Sequence, residues 1–433
     1  MKAVVLAAGE GSRMWPLAVN KPKHLLPVGG KPLIMHILEA IKENSIERVF
    51  VVVGFKGDMI RSALGDGSNL GLRIEYLKQP NWTGTASALK IAFESVGREP
   101  FLAVYGDLWI TPSAIQTVIE KSRECARVMG VAHVTNPSEY GLVELDGDKL
   151  IKIAEKPPSK AKPAGWVNTG IYILDNEVFR AVERTEVSKR AEYELTTSLQ
   201  HVLDEGNEVR VATIAHQDWM DVGRPWDLLE ANERALSSLS YRVEGTIEKG
   251  TVLNGTVWIG ASSVVKSGCH IEGPVYIGAG CKIGPNARVR PYTSIQDRVA
   301  VGTSCEIKNS LIMNGTKVPH LSYVGDSIIG ENCNLGAGTI TANIRFDEAT
   351  LKMRVKGRLH DTQRVKLGVI MGDRVQTGIN VSILPGVRIG SGSWLGPGTT
   401  ISRDVPSDLM LLAKQTCVKK RLKKKGVAAE ETW

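Results

Sequence analysis

The chain is poor in cysteine, with six in 433 residues, and no two of them form a CxxC pair. That spacing excludes a zinc ribbon or a thioredoxin-like redox motif, and the low number excludes a disulfide-dense scaffold. No apolar run approaches the ~20 residues that a membrane-spanning helix needs. The opening MKAVVLAAGEG has one lysine and a six-residue apolar stretch, too short for a signal-peptide core. It reads as a first strand entering a glycine loop. A cytoplasmic protein with no membrane or nucleic-acid partner is expected. Net positive charge is also scarce outside one place. Of the net +8, seven basic and two acidic residues from Lys414 onward give +5, leaving +3 on the body. Such a tail is either a solvated terminus or a contact for a phosphorylated ligand.

Glycine is what the chain has in excess, 44 residues, with 19 before residue 243 and 25 after it. The two stretches differ in period. Up to about residue 222, short apolar runs (Val4–Ala8, Arg48–Val53, Ile74–Leu77, Phe101–Val104) alternate with helical patterns over Pro32–Glu43, Lys56–Leu64 and Thr85–Ser95. Strands separated by helices imply an α/β domain with a mostly parallel, Rossmann-like sheet covered on both faces. A further helix from Pro225 to about Leu239 carries proline in its first turn. Beyond it, Ile247, Leu253, Ile259, Val265, Ile271, Ile277, Ile283, Val289, Ile295, Val301 and Ile307 recur every six residues. The phase slips near Met313 and returns later, as at Ile383, Ile389, Leu395 and Ile401. A sixfold repeat fits neither a helix nor an ordinary strand; it fits a β-solenoid that stacks its aliphatic anchors coil on coil. Glycines directly after anchors (Gly260, Gly278, Gly284, Gly302, Gly330, Gly336, Gly390, Gly396) are expected at turns of unusual φ/ψ. Cys269, Cys281, Cys305 and Cys333 all lie two residues before an anchor, in a slot for small core side chains. The expected organisation is a first domain over 1–224, a linker helix over 225–242, a solenoid over 243–406 and a basic tail over 407–433.

The chemistry of the first part starts at Gly9-Glu10-Gly11-Ser12-Arg13, a glycine loop directly after a strand. It is either a plain turn or a cradle of backbone N–H groups for phosphate. Neither the third glycine of a dinucleotide fingerprint nor a GK[ST] follows, but Arg13 and Lys23 can both meet anionic oxygens. The strings LAAGEGSRM and KPKHLLPV, followed in order by Gln79 with Gly84-Thr85-Ala86, Tyr105-Gly106-Asp107, Tyr140-Gly141, Glu155-Lys156-Pro157, Asn168-Thr169-Gly170 and Asp221-Val222-Gly223, resemble the sugar-1-phosphate nucleotidylyltransferases. The resemblance implies that Leu6, Ala8, Gly9, Gly11, Gln79, Gly84 and Thr85 hold the nucleotide. Arg13 and Lys23 would neutralise the phosphates, and Gly141, Glu155 and Asn168 would hold the sugar. Asp107 and Asp221 would hold Mg²⁺, a hard cation suited to carboxylates and substrate phosphates.

The solenoid resembles the left-handed parallel β-helix of hexapeptide acyltransferases. Arg290, Lys308, His320, Tyr323, Asn334, Ala337 and Asn343 match the acetyltransferase half of the bifunctional enzymes that make UDP-N-acetylglucosamine, in their archaeal form above all. The resemblance implies His320 as general base, a role suited to a side chain whose ordinary pKa lies near 6.5. Arg290 and Lys308 would clamp the sugar phosphate, with Tyr323 and Asn334 orienting it. Ala337, Asn343 and Lys414 would meet acetyl-CoA, and a homotrimer would complete the site. Two departures stand out. Asp221 occupies a position where bacterial bifunctional enzymes carry asparagine, and Ala349 replaces an expected lysine for which Lys352 is the nearest substitute. The expected function is acetylation of glucosamine-1-phosphate and UTP-dependent uridylyl transfer to the product. The alternatives are a single-activity glucose- or mannose-1-phosphate nucleotidylyltransferase with a structural solenoid, and a non-enzymatic regulatory subunit of the same architecture.

Overall fold

A computed structural model describes residues 1–420 except 82, 136, 138–139, 156–163 and 415. Its first part is built on a nine-stranded sheet. Four strands, Arg73–Lys78, Arg48–Val53, Ala3–Ala7 and Phe101–Tyr105, lie side by side and parallel, in that order. Ala3–Ala7 is buried along its whole length: Ala3, Val5 and Ala7 feed the core on one face, Val4 and Leu6 the core on the other. A strand covered on both faces is apolar without alternation, which is how this one reads. The helix Leu33–Glu43 packs Ile34, Ile37, Leu38 and Ile41 onto one face, the stripe of a 3.6-residue period. Beyond Phe101–Tyr105 the sheet becomes mixed. Ala164–Leu174 runs antiparallel to it, and Val128–Thr135, Arg210–Thr213, Lys149–Glu155 and Gly141–Asp146 follow outward. The helix expected over Thr85–Ser95 is two helices, Thr85–Ile91 and Phe93–Val96. The first ends in a tight turn in which the Ala92 N–H also bonds three residues back, to Leu89 O at 2.9 Å.

The second part is a parallel β-helix of short strands in three stacked ladders. Coils of eighteen residues pair Val257 with Val275 and Val275 with Thr293. The phase slip has a simple cause: the next step, Ser294 with Leu311, spans seventeen. One residue is missing at the corner between the anchors Ile307 and Ile312. The step from Ile328 to Ile370 spans forty-two because an insertion leaves the coil and returns. It contains the hairpin Lys352–Val355 and Arg358–Asp361. The anchors form one continuous core with Cys269, Cys281, Cys305 and Cys333 among them. Full burial of such an anchor contributes roughly 1.5–3 kcal/mol.

The reason for the glycines after the anchors differs from expectation. Of the eight, Gly284 alone has a positive φ, 89°. The others are glycine for lack of space, because the neighbouring coil lies against them. A Cβ on Gly302 would sit 1.9 Å from Pro319 O, one on Gly330 2.5 Å from Gly372 C, and one on Gly390 2.2 Å from Ser407 N. The left-handed residues come two positions later, three after the anchor, at Ser262, Gly268, Gly280, Asn286, Arg298 and Asn332 among others. There, side chains are tolerated.

The two parts are packed against each other. The helix Asp227–Ser237 lies between them, and Leu228 and Leu229 join Met14, Leu17, Leu311, Met313, Ile328 and Ile370 in one buried cluster. Asn232, fully buried, accepts from Gly29 N at 3.0 Å and Ser294 Oγ at 2.6 Å and donates to Tyr292 O at 2.9 Å. Lys21 pairs with Glu331 at 2.6 Å and Asp373 at 3.4 Å, so the β-helix grips the loop that carries Lys23.

Candidate active sites

The first site opens at the ends of the parallel strands. Leu6 and Ala8 are buried beneath the glycine loop. Gly11 takes φ 73° and opens the short turn Ser12–Met14, whereas a Cβ on Gly9 would meet nothing within 4 Å. Protein packing alone does not require glycine at position 9. The strand Trp219–Asp221 pairs antiparallel with Leu108–Ile110, Asp221 opposite Leu108, and Val222 N bonds to Asp107 O at 3.0 Å. This pairing brings Asp107 and Asp221 together from distant parts of the chain. A Cβ on Gly223 would lie 2.9 Å from Asp221 Oδ2 and 3.4 Å from Arg13 Nη1, so Arg13 belongs to the same group. Lys23 forms an ion pair with Asp107. Burial works to raise the Asp107 pKa, but Lys23, with His24 and Arg13, overcomes it and holds it at about 2. Burial, with Lys23 adjacent, lowers His24 to about 3 and keeps it neutral. Asp227 accepts from the N–H groups of Gly223 and Arg224 at 3.1 and 2.7 Å, securing the turn after Asp221.

The sugar-binding candidates also converge. Gly141 pairs with Glu155 across adjacent strands, and a Cβ there would lie 3.0 Å from Glu155 Oε2 and 3.5 Å from Asn168 Cβ. Asn168 donates to Tyr172 Oη at 2.6 Å, and Tyr172 donates to Tyr105 Oη at 3.1 Å. Gln79 Nε2 donates to Ser87 Oγ at 2.8 Å, and Thr85 Oγ1 accepts from Leu195 N at 3.0 Å. Gly84 has φ 118°, and a Cβ on it would strike Tyr193 O at 2.4 Å. Lys156 and Pro157 of the Glu155-Lys156-Pro157 motif lie outside the described residues.

On the β-helix the candidates form two groups. Arg290 directly follows the strand Arg288–Val289, Lys308 ends the next strand of that ladder, Glu306–Lys308, and Tyr323 begins the one after it. Arg290 pairs with Glu306 at 3.0 Å, and its buried Nε has no partner among the described residues. Lys308 Nζ donates to Asp326 Oδ2 at 3.0 Å; Asn343 Nδ2 donates to Tyr323 Oη at 3.2 Å and also to Asp326. Asn343 thus joins the sugar-phosphate candidates rather than Ala337 and Lys414, with which it was expected. His320 ends the strand Lys317–His320 on the neighbouring ladder, with its side chain exposed. Its carbonyl accepts from Gly338 N at 3.3 Å and Ser322 Oγ at 2.8 Å. Ala337 therefore lies over His320 from the next coil, and Asn334 bridges Lys317 to Gln376 in that ladder. Lys414 is exposed beyond the last strand, Met410–Leu411; no contact among the described residues brings it to either group. Lys352 is exposed on the inserted hairpin, paired in register with Asp361.

A nucleotidyl transferase family model matches residues 2–238 and a GMPPB C-terminal domain model matches 271–378. The bifunctional protein GlmU of Methanocaldococcus jannaschii is 39% identical over 98% of this chain and 100% of its own length. The chain belongs to the bifunctional GlmU family. A bifunctional sugar-1-phosphate nucleotidylyltransferase/acetyltransferase of Sulfurisphaera tokodaii is also 39% identical, over 94% of this chain and 98% of that protein. A glucose-1-phosphate thymidylyltransferase of Streptomyces antibioticus is 33% identical over 77% and 92%. As a GlmU family member the chain combines a sugar-1-phosphate nucleotidylyltransferase with an acetyltransferase on a β-helix. Among the described residues no helix is long and apolar enough to cross a membrane.

The sequence assigns Asp326 no role, although it closes the run HLSYVGD that begins at His320 and contains Tyr323. It is 2% exposed and takes hydrogen bonds from Lys308, Asn309 and Asn343. An acidic residue two after a solenoid anchor, in a chain whose coils face inward with small and aliphatic groups, was the signal available.

Proposed function

We propose that the chain acetylates glucosamine-1-phosphate with acetyl-CoA and then transfers UMP from UTP to N-acetylglucosamine-1-phosphate, releasing pyrophosphate. At the first site a phosphate oxygen of the sugar phosphate attacks the α-phosphorus of UTP, and the bond from that phosphorus to the β-phosphate bridging oxygen breaks. Arg13 and Lys23 neutralise the leaving pyrophosphate and the reacting phosphates, the electrostatic work that dominates such a transfer. Gly9 leaves room for phosphate to approach the backbone. Asp107 and Asp221 suit Mg²⁺: they are hard oxygen donors on paired strand ends, and among the described residues no third carboxylate, His or Cys completes a cage. Mg²⁺ typically keeps open positions for substrate phosphates, and when bound it would supply charge neutralisation and alignment. Gly141, Glu155 and Asn168 form the floor under the sugar.

At the second site the 2-amine attacks the thioester carbonyl, His320 takes its proton, and the carbon–sulfur bond breaks to release CoA. Arg290 and Lys308 hold the sugar phosphate, Tyr323, Asn334 and Asn343 orient the substrate, and Ala337 N–H faces the thioester oxygen. Lys414 and the basic tail meet CoA phosphates. His320 stands exposed on the outside of the β-helix, and a homotrimer would enclose it with a second chain's surface. The observation that carries this reading is the cluster of Lys308 and Asn343 on the buried Asp326, which a merely structural solenoid does not need. The test is incubation with acetyl-CoA, UTP, Mg²⁺ and each hexosamine-1-phosphate in turn, following CoA and pyrophosphate together. CoA release with glucosamine-1-phosphate supports the reading. Pyrophosphate release without CoA from any amino-sugar phosphate would instead favour a single-activity glucose- or mannose-1-phosphate enzyme, a reading to which the thymidylyltransferase relative lends weight.

A further inference from the structure

Glu233 stands on the helix Asp227–Ser237, within the part of the chain matched as nucleotidyl transferase. Its Oε1 accepts from Asn309 Nδ2 at 3.1 Å and from Arg364 Nη2 at 2.9 Å. Asn309 directly follows Lys308, and the same amide nitrogen donates to Asp326 Oδ1 at 2.9 Å. Asp326 in turn receives Lys308 and Asn343, and Asn343 reaches Tyr323. A line of hydrogen bonds therefore runs from a helix outside the β-helix to three residues assigned above to acetyl transfer.

The chemistry of Asn309 explains why both ends of this line matter. Its amide nitrogen has two protons, and Glu233 and Asp326 each take one. Flipping the amide would turn its oxygen toward two carboxylates, so the pair fixes the side chain's orientation. Asp326 is almost wholly buried. If Asn309 turned away, Oδ1 of a buried carboxylate would lose a donor, a loss that a buried acceptor cannot recover from water. Asp326 would then shift, and Lys308 and Asn343 with it.

We propose that Glu233 is a positioning residue for acetyl transfer, setting Lys308 and Asn343 through Asn309 and Asp326 without touching substrate. The inference rests on the acetylation reading above. The competing role is a staple for the insertion through Arg364. The experiment uses the full chain, with CoA release read against glucosamine-1-phosphate and acetyl-CoA separately, and pyrophosphate release as the control for the fold. Loss of a phosphate contact made equally in the ground and transition states raises KM and spares kcat. In Glu233→Ala, KM for glucosamine-1-phosphate is expected to rise about tenfold, with kcat and KM for acetyl-CoA within about twofold. Asn309→Ala should match it, and the double variant should be no worse than either single one. Glu233→Gln retains an acceptor oxygen and should recover KM to within about threefold of the parent. An unchanged KM, or a defect reproduced by Arg364→Ala but not by Asn309→Ala, overturns the proposal. If Glu233→Ala loses both activities together, Asn309→Ala decides: it must show the KM rise alone. A parent enzyme that releases no CoA with any hexosamine-1-phosphate would refute the acetylation reading itself, and this inference with it.

Discussion

The two candidate sites of this chain are built on opposite plans. The first is assembled from strand ends of a covered sheet, and its charges are buried and already paired, Lys23 with Asp107. The second is laid along the outer corners of a repeating coil, with His320 exposed and its supporting cluster one ladder away. A buried site is completed by its own fold; a site on the surface of a solenoid is left open on one side. The contrast shows how one chain can carry two chemistries with little overlap. Each site depends on a different kind of neighbour: sheet partners far away in sequence for the first, adjacent coils for the second.

The most severe way to break the contrast is to remove its charges. Asp107→Asn should lower nucleotidyl transfer by about 10³ while leaving acetylation within twofold. Pyrophosphate and CoA release measured side by side check this, and a parallel loss of both would sink the two-site picture. Next, His320→Ala should lower CoA release by about 10² with pyrophosphate release intact; a variant that still acetylates at the parental rate would remove His320 as base.

Acid should separate the halves by stability. Burial and the nearby Lys31 lower His36 to about 3, its Nε2 lying against Val28 O at 3.0 Å. A group with a depressed folded pKa gives its full contribution above its unfolded pKa, here 6.5, and loses it as pH falls toward 3. Between pH 6.5 and 5 that cost is about 2 kcal/mol, at 1.36 kcal/mol per unit. On the β-helix, His320 is exposed and His270 and His360 are only partly buried. The first part should therefore unfold at a higher pH than the β-helix, and His36→Gln should narrow the gap. Pyrophosphate-forming activity and β-sheet circular dichroism followed from pH 7 to pH 3 would test this; coincident loss in both the parent and the variant would count against it.

A last pair of variants sharpens the account of the glycines. Gly302→Ala forces a Cβ into Pro319 O and should cost about 2–3 kcal/mol. Gly280→Ala, at φ 67° with its nearest neighbour 3.5 Å away, should cost about 1 kcal/mol. Denaturant midpoints of the two variants would show the order, and equal losses would mean that the close approach of Pro319 O costs no more than a left-handed φ.

Much of the fold was legible because its signals are local. A six-residue period can be read without knowing what it packs against, and Ala3–Ala7 is apolar on both faces wherever its partners come from. The slip near Met313 was visible, but its meaning, a corner shortened by one residue, required the pairing of Ser294 with Leu311. The role of Gly302 was misjudged because the sequence shows that a residue is small, not whether torsion or a neighbouring backbone demands it. In the first site, Asp107 and Asp221 could each be named from a motif. Their adjacency depends on a two-stranded pairing between segments far apart in the chain. Asp326 escaped notice because its side-chain partners come from the coil before it, through Lys308 and Asn309, and from the coil after it, through Asn343.

By itself, then, the sequence determined the two architectures, the order in which they occur and the residue types available to each site, since periodicity and short motifs are properties of neighbours along the chain. Only the tertiary structure decided which carboxylate meets which cation. It also decided that the glycines yield to a passing backbone, and that Glu233 of one half supports Asp326 of the other. Those outcomes depend on distance and burial, quantities that exist only once remote segments have been packed together.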